Sequence, residues 1–112
     1  MTISTSSQEI RIATIDVTGR LDAVRAVELR TQIATAILDG TVRIIVDLSA
    51  AEFVDSAGLA ALAKGMKDCR GAGGDLRVVA AKTPDAARVF QLTRFDQVFR
   101  MADTAEDLVA TW

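Results

Sequence analysis

The sequence contains no histidine and no tyrosine, and it has one cysteine and one proline. Without histidine, the chain lacks the usual general base, the usual transition-metal ligand and the group needed for a histidine phosphorelay. The single thiol, Cys69, excludes an internal disulfide and suits a reducing cytoplasm. With no histidine as a partner, that thiol also has no ordinary route to activation as a nucleophile. These absences argue against an enzyme, and nothing in the sequence indicates a cofactor or a metal.

Aromatic residues and net charge are also scarce. Aromatics make up 4% of the 112 residues, the formal net charge is −2, and the thirteen basic residues are scattered. Nucleic-acid binding needs clustered Lys and Arg, so none is expected. No apolar run approaches the ~20 residues of a membrane helix, and the Ser/Thr-rich start lacks the apolar region of a secretory signal. We therefore expect a cytoplasmic protein with an aliphatic core and no membrane insertion.

What is present is a regular alternation of strand and helix patterns. Alternating apolar residues predict a half-buried strand over 10–17, after which Gly19 is expected to turn the chain. A nearly continuous β-branched run over 42–48 predicts a central strand buried on both faces, followed by a loop over 49–55. A third strand is predicted over 76–80, and 97–101 has the pattern of a short edge strand.

Four helices are predicted between and after these strands, over residues 22–38, 56–70, 84–92 and 103–112. Asp22 is placed to cap the first helix, and Gly40 is expected to follow its end. Thr83 before Pro84 predicts the start of the third helix, and Asp103 has the spacing of a capping box for the last. The second helix has an apolar stripe of Leu59, Leu62, Met66 and Cys69, so these residues are expected to pack in the core.

This order predicts a single α/β domain over residues 9–112, preceded by a flexible segment over 1–8. The central sheet is expected to be mostly parallel, with about four to five strands and about four helices. Since one crossover helix joins the strands at 10–17 and 42–48, these strands run parallel and end at the same edge of the sheet. Asp22 and Ser56 therefore both emerge from that edge, where open α/β sheets generally carry their functional sites.

Ser56 is the candidate functional residue. It begins a helix, so the simpler interpretation is an N-cap worth roughly 1 kcal/mol. Its neighbours Ala57 and Gly58 are small, which would let a partner approach the backbone. Gly58 in the first helical turn costs about 1 kcal/mol relative to Ala, so it needs a reason in packing or access. Glu52 and Asp55 precede the serine and surround it with acidic charge.

The run Asp-Ser-Ala-Gly-Leu at 55–59 follows the apolar strand 44–48, and in this setting it resembles the signature of the STAS-domain anti-sigma factor antagonists. The upstream Val-Thr-Gly-Arg-Leu-Asp at 17–22 is similar to the second signature of that family. The resemblance covers about residues 9 to 110 in the same element order. It differs at Ala23 and Val24, where relatives often carry polar residues, and at residues 93–95, where many relatives have a Gly.

The resemblance implies a partner-switching function without catalysis by this chain. In that family the unphosphorylated antagonist binds an anti-sigma factor that is a serine kinase and frees the sigma factor. Phosphorylation of the serine, here Ser56, releases the partner, and a serine phosphatase restores binding. The resemblance also implies that Asp22 lies at the partner surface together with the signature residues Asp55, Ser56, Ala57, Gly58 and Leu59. A monomer or weak dimer is expected.

Other functions are compatible with parts of the sequence. STAS domains also serve as scaffolds in stress-sensing complexes and as regulatory subunits associated with transporters, without a phosphoswitch. A receiver-like acidic Mg²⁺ site would need Asp22, Asp47 and Asp55 together with Lys82. Nucleotide binding by the glycines at 71–74 is disfavoured because phosphate loops follow a strand and precede a helix. Trp112 is either docked on the domain or exposed, and the sequence does not decide between these.

Overall fold

The α/β architecture predicted from the sequence is confirmed. A computed structural model describes residues 1–5 and 11–112. A five-stranded sheet has the order β1-β2-β3-β4-β5, and its last four strands are parallel to one another. The strands are β1 (Thr2–Thr5), β2 (Ile12–Leu21), β3 (Arg43–Val54), β4 (Asp75–Val79) and β5 (Arg100–Ala102). The helices are α1 (Ala23–Leu38), α2 (Ser56–Gly71), α3 (Pro84–Leu92) and α4 (Ala105–Ala110), with a 3-10 turn at Phe95–Gln97.

The core has two parts, one on each face of the sheet. The larger part receives Leu29 from α1, Leu62 from α2 and Phe90 from α3. The smaller part lies under α4 and includes Ile45 and Leu108. Strand β3 contributes to both, as its continuous apolar run predicts. The predicted apolar stripe of α2 is confirmed as buried over its whole length, from Leu59 to Cys69.

Two predicted breaks in the sheet are wrong. Gly19 does not turn the chain but lies within β2 at φ +71°, next to a shift in register. The predicted loop at 49–55 is mostly strand, because β3 continues to Val54. Each extension is stabilised by the other, since Arg20 pairs with Phe53 and Leu21 with Val54. Local patterns conceal this pairing, because a bulge shifts the alternation by one residue.

The start of the chain carries a strand that the sequence analysis did not predict. Thr2–Thr5 pairs antiparallel with β2, with Ile3 opposite Ile15. Its residues are mostly polar, and a polar edge strand lacks the hydrophobic alternation that marks strands in a sequence. The predicted start of β2 at Ile10 lies outside the described residues. The flexibility of the segment 1–8 stays a prediction.

At the other end of the chain, the predicted elements are present with shifted boundaries. Thr83 and Pro84 begin α3 as predicted, whereas the edge strand begins at Arg100. The predicted cap at Asp103 is wrong by one residue: Thr104 caps α4 by accepting a hydrogen bond from the backbone N–H of Asp107 at 3.2 Å. None of the helices in the described residues is both long and apolar enough to span a membrane.

Trp112 docks on the domain and does not extend into solvent. Its ring lies 3.9 Å from the guanidinium of Arg77, which is buried. The same guanidinium donates to the carbonyl of Leu108 at 2.8 Å and to the hydroxyl of Thr111 at 2.9 Å. Burial, followed by the charge of Arg100, lowers the pKa of Arg77. The arginine thus binds the last turn of α4 to the sheet.

Candidate functional site

Two helices begin side by side at the carboxyl edge of the sheet. The N–H of Asp55 donates to the carbonyl of Leu21 at 3.2 Å, so the end of β3 is joined to the end of β2. Asp22 then caps α1 by accepting from the N–H of Arg25 at 3.1 Å. Asp55 caps α2 in the same way, accepting from Gly58 at 3.0 Å. The shared edge predicted for Asp22 and the Ser56 segment is therefore confirmed.

Ser56 is exposed and is the first residue of α2. The simpler interpretation of this residue as the N-cap is wrong, because Asp55 occupies that position and its carboxylate makes the capping bond. Among the described residues, no hydrogen bond holds the Ser56 hydroxyl. A hydroxyl that makes no hydrogen bond within the protein can be modified without loss of a bond that stabilises the helix. The division of roles between the two residues leaves the serine accessible.

Gly58 is required for packing. A Cβ atom on this residue would lie 2.7 Å from the carbonyl oxygen of Leu21 and 2.8 Å from its Cγ. Glycine therefore lets the first turn of α2 touch the end of β2 directly. Leu59 is also buried, at 4% exposure. Both residues were predicted to bind a partner, but their side-chain positions face the core and hold the surface residues in place.

The surface of the candidate site carries acidic and small side chains. Ser56 and Glu52 are exposed, whereas Asp22, Asp55 and Ala57 are half-buried. The structure brings these residues together where β2 and β3 end. Exposed and half-buried polar side chains of this kind suit contact with a protein partner or a modifying enzyme.

The residues required for a receiver-like Mg²⁺ site are not assembled in the structure. In the part of the chain that the structure describes, no group of three or more Cys, Asp or Glu is arranged to hold a metal ion. The carboxylate of Asp47 accepts from the backbone N–H of Ser49 at 2.9 Å. Lys82, the only candidate for the required lysine, lies 3.8 Å from the carboxylate of Asp103.

Sequence reasoning missed one pair beside the site. The guanidinium of Arg20 lies over the ring of Phe53, 4.3 Å from its centroid. The two residues are 33 positions apart, and they become neighbours only through the extended pairing of β2 with β3. In the sequence, only the arginine of the Gly-Arg-Leu-Asp segment gives any indication of this contact.

The site belongs to a fold with well-defined relatives. Residues 5–108 match the sequence profile of the STAS domain. BtrV of Bordetella bronchiseptica, assigned as an anti-sigma factor antagonist, is 27% identical over 94 residues, which cover 84% of this chain and 80% of BtrV. The crystal structure of an anti-sigma factor antagonist from Mycobacterium paratuberculosis is 28% identical, with a TM-score of 0.81 over 98% of this chain and 92% of that one.

SpoIIAA is similar in fold in both of its phosphorylation states. Its unphosphorylated form has a TM-score of 0.77 at 22% identity, over 96% of this chain and 93% of SpoIIAA. The phosphorylated form of the Bacillus protein has a TM-score of 0.70 at the same identity, over 98% of both chains. At this identity the likeness concerns the fold. Because the sequence profile spans nearly the whole chain, the protein belongs to the STAS domain family.

Proposed function

We propose that this protein is an anti-sigma factor antagonist whose unphosphorylated form binds a serine-kinase-type anti-sigma factor and so releases the sigma factor. Phosphorylation of Ser56 by that kinase ends the binding, and a serine phosphatase restores it. The observation that carries the proposal is the exposed Ser56 hydroxyl at the start of a helix whose cap is supplied by Asp55. The names of the similar proteins from Bordetella and Mycobacterium support the same function.

The position of Ser56 lets a phosphate be added without loss of the fold. Phosphorylation adds about 1.5 to 2 negative charges. The amino end of α2 carries partial positive charge and free backbone N–H groups, which favour an anion there. Asp55 keeps its own hydrogen bond to Gly58, so modification of Ser56 removes no existing bond. The helix is therefore expected to remain intact in the phosphorylated protein.

The same charge is unfavourable once a partner covers the site. Asp22 and Asp55 are already half-buried beside the serine, and Glu52 lies just before it. A partner that fits this surface must desolvate the new phosphate next to these carboxylates. Like charges brought together in this way cost several kcal/mol. Since each 1.4 kcal/mol changes affinity tenfold, release needs no change of fold.

On this proposal the chain is a substrate of its kinase and phosphatase and has no catalytic activity of its own. It acts in the cytoplasm, contacts no nucleic acid directly and needs no cofactor. A monomer or weak dimer is sufficient, because the site is complete within one chain.

The test combines phosphopeptide mapping with binding. We expect incubation with a kinase-type anti-sigma factor and ATP to label Ser56, and Ser56→Ala to abolish the label. Ser56→Asp is expected to bind that partner at least about 10-fold more weakly than wild type. Gln91→Glu, which adds one negative charge on the exposed face of α3, is the control and should bind as wild type. Equal affinity of wild type and Ser56→Asp, together with labelling elsewhere, contradicts the proposal.

A further inference from the structure

The two helices that begin at the candidate site enclose a shallow valley on the protein surface. Both α1 and α2 follow strands that end at the carboxyl edge, so they start beside each other and run in the same direction. They pack against each other. The valley between them starts at the carboxyl edge, where both helices begin, and leads toward the opposite edge of the sheet.

An apolar side chain is exposed near the start of this valley. Val27, in the second turn of α1, is 53% exposed. Val27, Arg30 and Ala34 are spaced by three and four residues, which places them along one stripe of the helix. Since Arg30 and Ala34 line a groove against α2, Val27 lies on the same side, closer to Ser56. Val27 thereby extends the apolar lining of the groove toward the carboxyl edge, and contiguous exposed apolar area marks interaction sites.

Further along, the valley deepens into a groove of about 180 Å³. Its lining includes the buried residues Ile33, Ala61 and Gly65, which form the floor, and the exposed Ala34. Gly65 is tightly packed, because a Cβ atom there would lie 2.7 Å from Cδ1 of Ile33 and 2.9 Å from Cδ1 of Leu76. The groove is about the size of one aliphatic side chain, and the packed floor fixes its shape.

The rim of the groove is cationic. Lys64 is neutralised by Asp68, whose carboxylate lies 2.7 Å from the ammonium. Arg30, on the opposite side, is exposed and makes no ion pair with any of the described residues. One unpaired guanidinium next to an apolar groove favours a partner segment with two features: an apolar side chain that enters the groove, and an acidic side chain next to it that pairs with the guanidinium.

The groove lies within reach of a partner bound at Ser56. Eight residues separate Ser56 from Lys64 along α2, which corresponds to about 12 Å at 1.5 Å per residue. A standard protein interface buries about 800 Å² on each partner, and a patch of that area extends over a comparable distance from its centre. A partner centred near the phosphosite therefore covers the valley as well.

We infer that the α1–α2 valley is the second half of the partner surface, and that it receives an aliphatic side chain of the anti-sigma factor flanked by a carboxylate that pairs with Arg30. The inference rests on the proposed function and specifies its partner. Phosphorylation of Ser56 then controls whether the partner binds, whereas the valley supplies apolar contact area and selects an acidic partner segment.

The test is charge reversal at the rim, measured by calorimetric titration with the kinase-type anti-sigma factor. Arg30→Glu is expected to weaken binding about 10-fold at low salt, with a smaller difference at high salt. Arg88→Glu is the matched control, because Arg88 is exposed on α3 and also has no ion pair within the described part of the chain. It should bind as wild type. Thermal unfolding of both variants should match wild type, since neither residue is buried.

A second pair of variants tests the apolar part of the valley. Val27→Ser is expected to weaken binding several-fold, whereas Val109→Ser, at a valine of similar exposure on α4, should not. If Arg30→Glu and Val27→Ser bind like their controls while Ser56→Asp still loses affinity, the valley is overturned as an interface and the phosphoswitch stands. If Ser56→Asp binds as wild type but Arg30→Glu is weakened, the phosphoswitch fails and the valley stands.

Discussion

Two adjacent polar residues at the start of α2 have different tasks. Asp55 makes the capping bond to Gly58 at 3.0 Å, and Ser56 makes no such bond. Capping bonds hold backbone N–H groups that the helix cannot satisfy itself. A residue relieved of that task can be modified freely, and this separation makes a phosphorylation site compatible with a stable helix.

Asp55 and Ser56 are therefore expected to respond differently to truncation. Asp55→Ala should lower the free energy of unfolding by about 1 kcal/mol, because it removes the cap. Ser56→Ala should change it by less than about 0.5 kcal/mol, as is usual at exposed positions. Urea titration followed by circular dichroism measures both values. If Ser56→Ala lost more stability than Asp55→Ala, the assignment of the cap to Asp55 would be contradicted.

Cys69 illustrates how burial alone determines the chemistry of a residue. It is fully buried, and burial, followed by the charges of Asp75 and Asp68, raises the pKa of the thiol from 9.0 to about 12. A protonated, inaccessible thiol is a poor nucleophile. The structure therefore agrees with a packing role for this residue.

The raised pKa of Cys69 predicts a stability loss at high pH. Above pH 9 the thiol ionises in the unfolded chain but stays protonated in the native state, so unfolding releases a proton. The contribution is fully present below pH 9 and is lost as the pH rises toward 12. Cys69→Ala should show a shallower decline over this window. In parallel, a thiol reagent at pH 8 should label the wild type slowly when native and rapidly in denaturant.

At the scale of elements, the site depends on a close contact between α2 and β2. Gly58 brings the helix onto the carbonyl of Leu21, and Asp55 donates its N–H to that same carbonyl. The end of β2 thereby sets both the position and the direction of the helix start. Ser56 is placed by this junction, and its own side chain contributes nothing to that placement.

Gly58→Ala tests this junction. Alanine favours a helix over glycine by about 1 kcal/mol, yet here its Cβ would collide with Leu21, and overpacking typically costs 1–3 kcal/mol. We expect a net loss of stability and weaker binding of the anti-sigma factor. Gly71→Ala is the control, because nothing lies within 4 Å of a Cβ at the end of α2. It should be neutral or slightly stabilising. A stabilised Gly58→Ala would contradict the close contact.

For the molecule as a whole, the position of acidic side chains relative to Ser56 matters more than the net charge. The carboxyl edge carries Asp22 and Asp55. We expect phosphorylation of Ser56 to add negative charge beside these carboxylates, where a bound partner would be sensitive to it.

Phosphorylation should change binding without changing the fold. We expect the melting temperature of the phosphorylated protein to differ from that of the unmodified protein by no more than about 3 °C, since surface changes are usually within about 0.5 kcal/mol. Hydrogen exchange should remain slow in the core strands. Cooperative loss of protection in α2 on phosphorylation would show that release operates through unfolding.

The amino-acid sequence is sufficient to predict the order of the elements from β2 onward, their buried faces and the two segments that form the candidate site. These follow from local spacing, because a helix or strand shows its buried face as a period in the chain. It also indicated that Asp22 and the Ser56 segment share one edge, since a single crossover between parallel strands requires it.

The three-dimensional fold determines where β2 and β3 end, which residue caps α2 and why position 58 is glycine. Each of these depends on contacts between segments more than 30 residues apart, such as Leu21 with Val54 and with Gly58. The register of β2 with β3 shifts twice, each time with an extra residue on β3, so the alternation of β3 is broken after Leu48. Two adjacent polar residues are also equally good caps by residue type alone. The pairing of the strands resolves both, because it fixes the backbone at Asp55 and leaves Ser56 exposed.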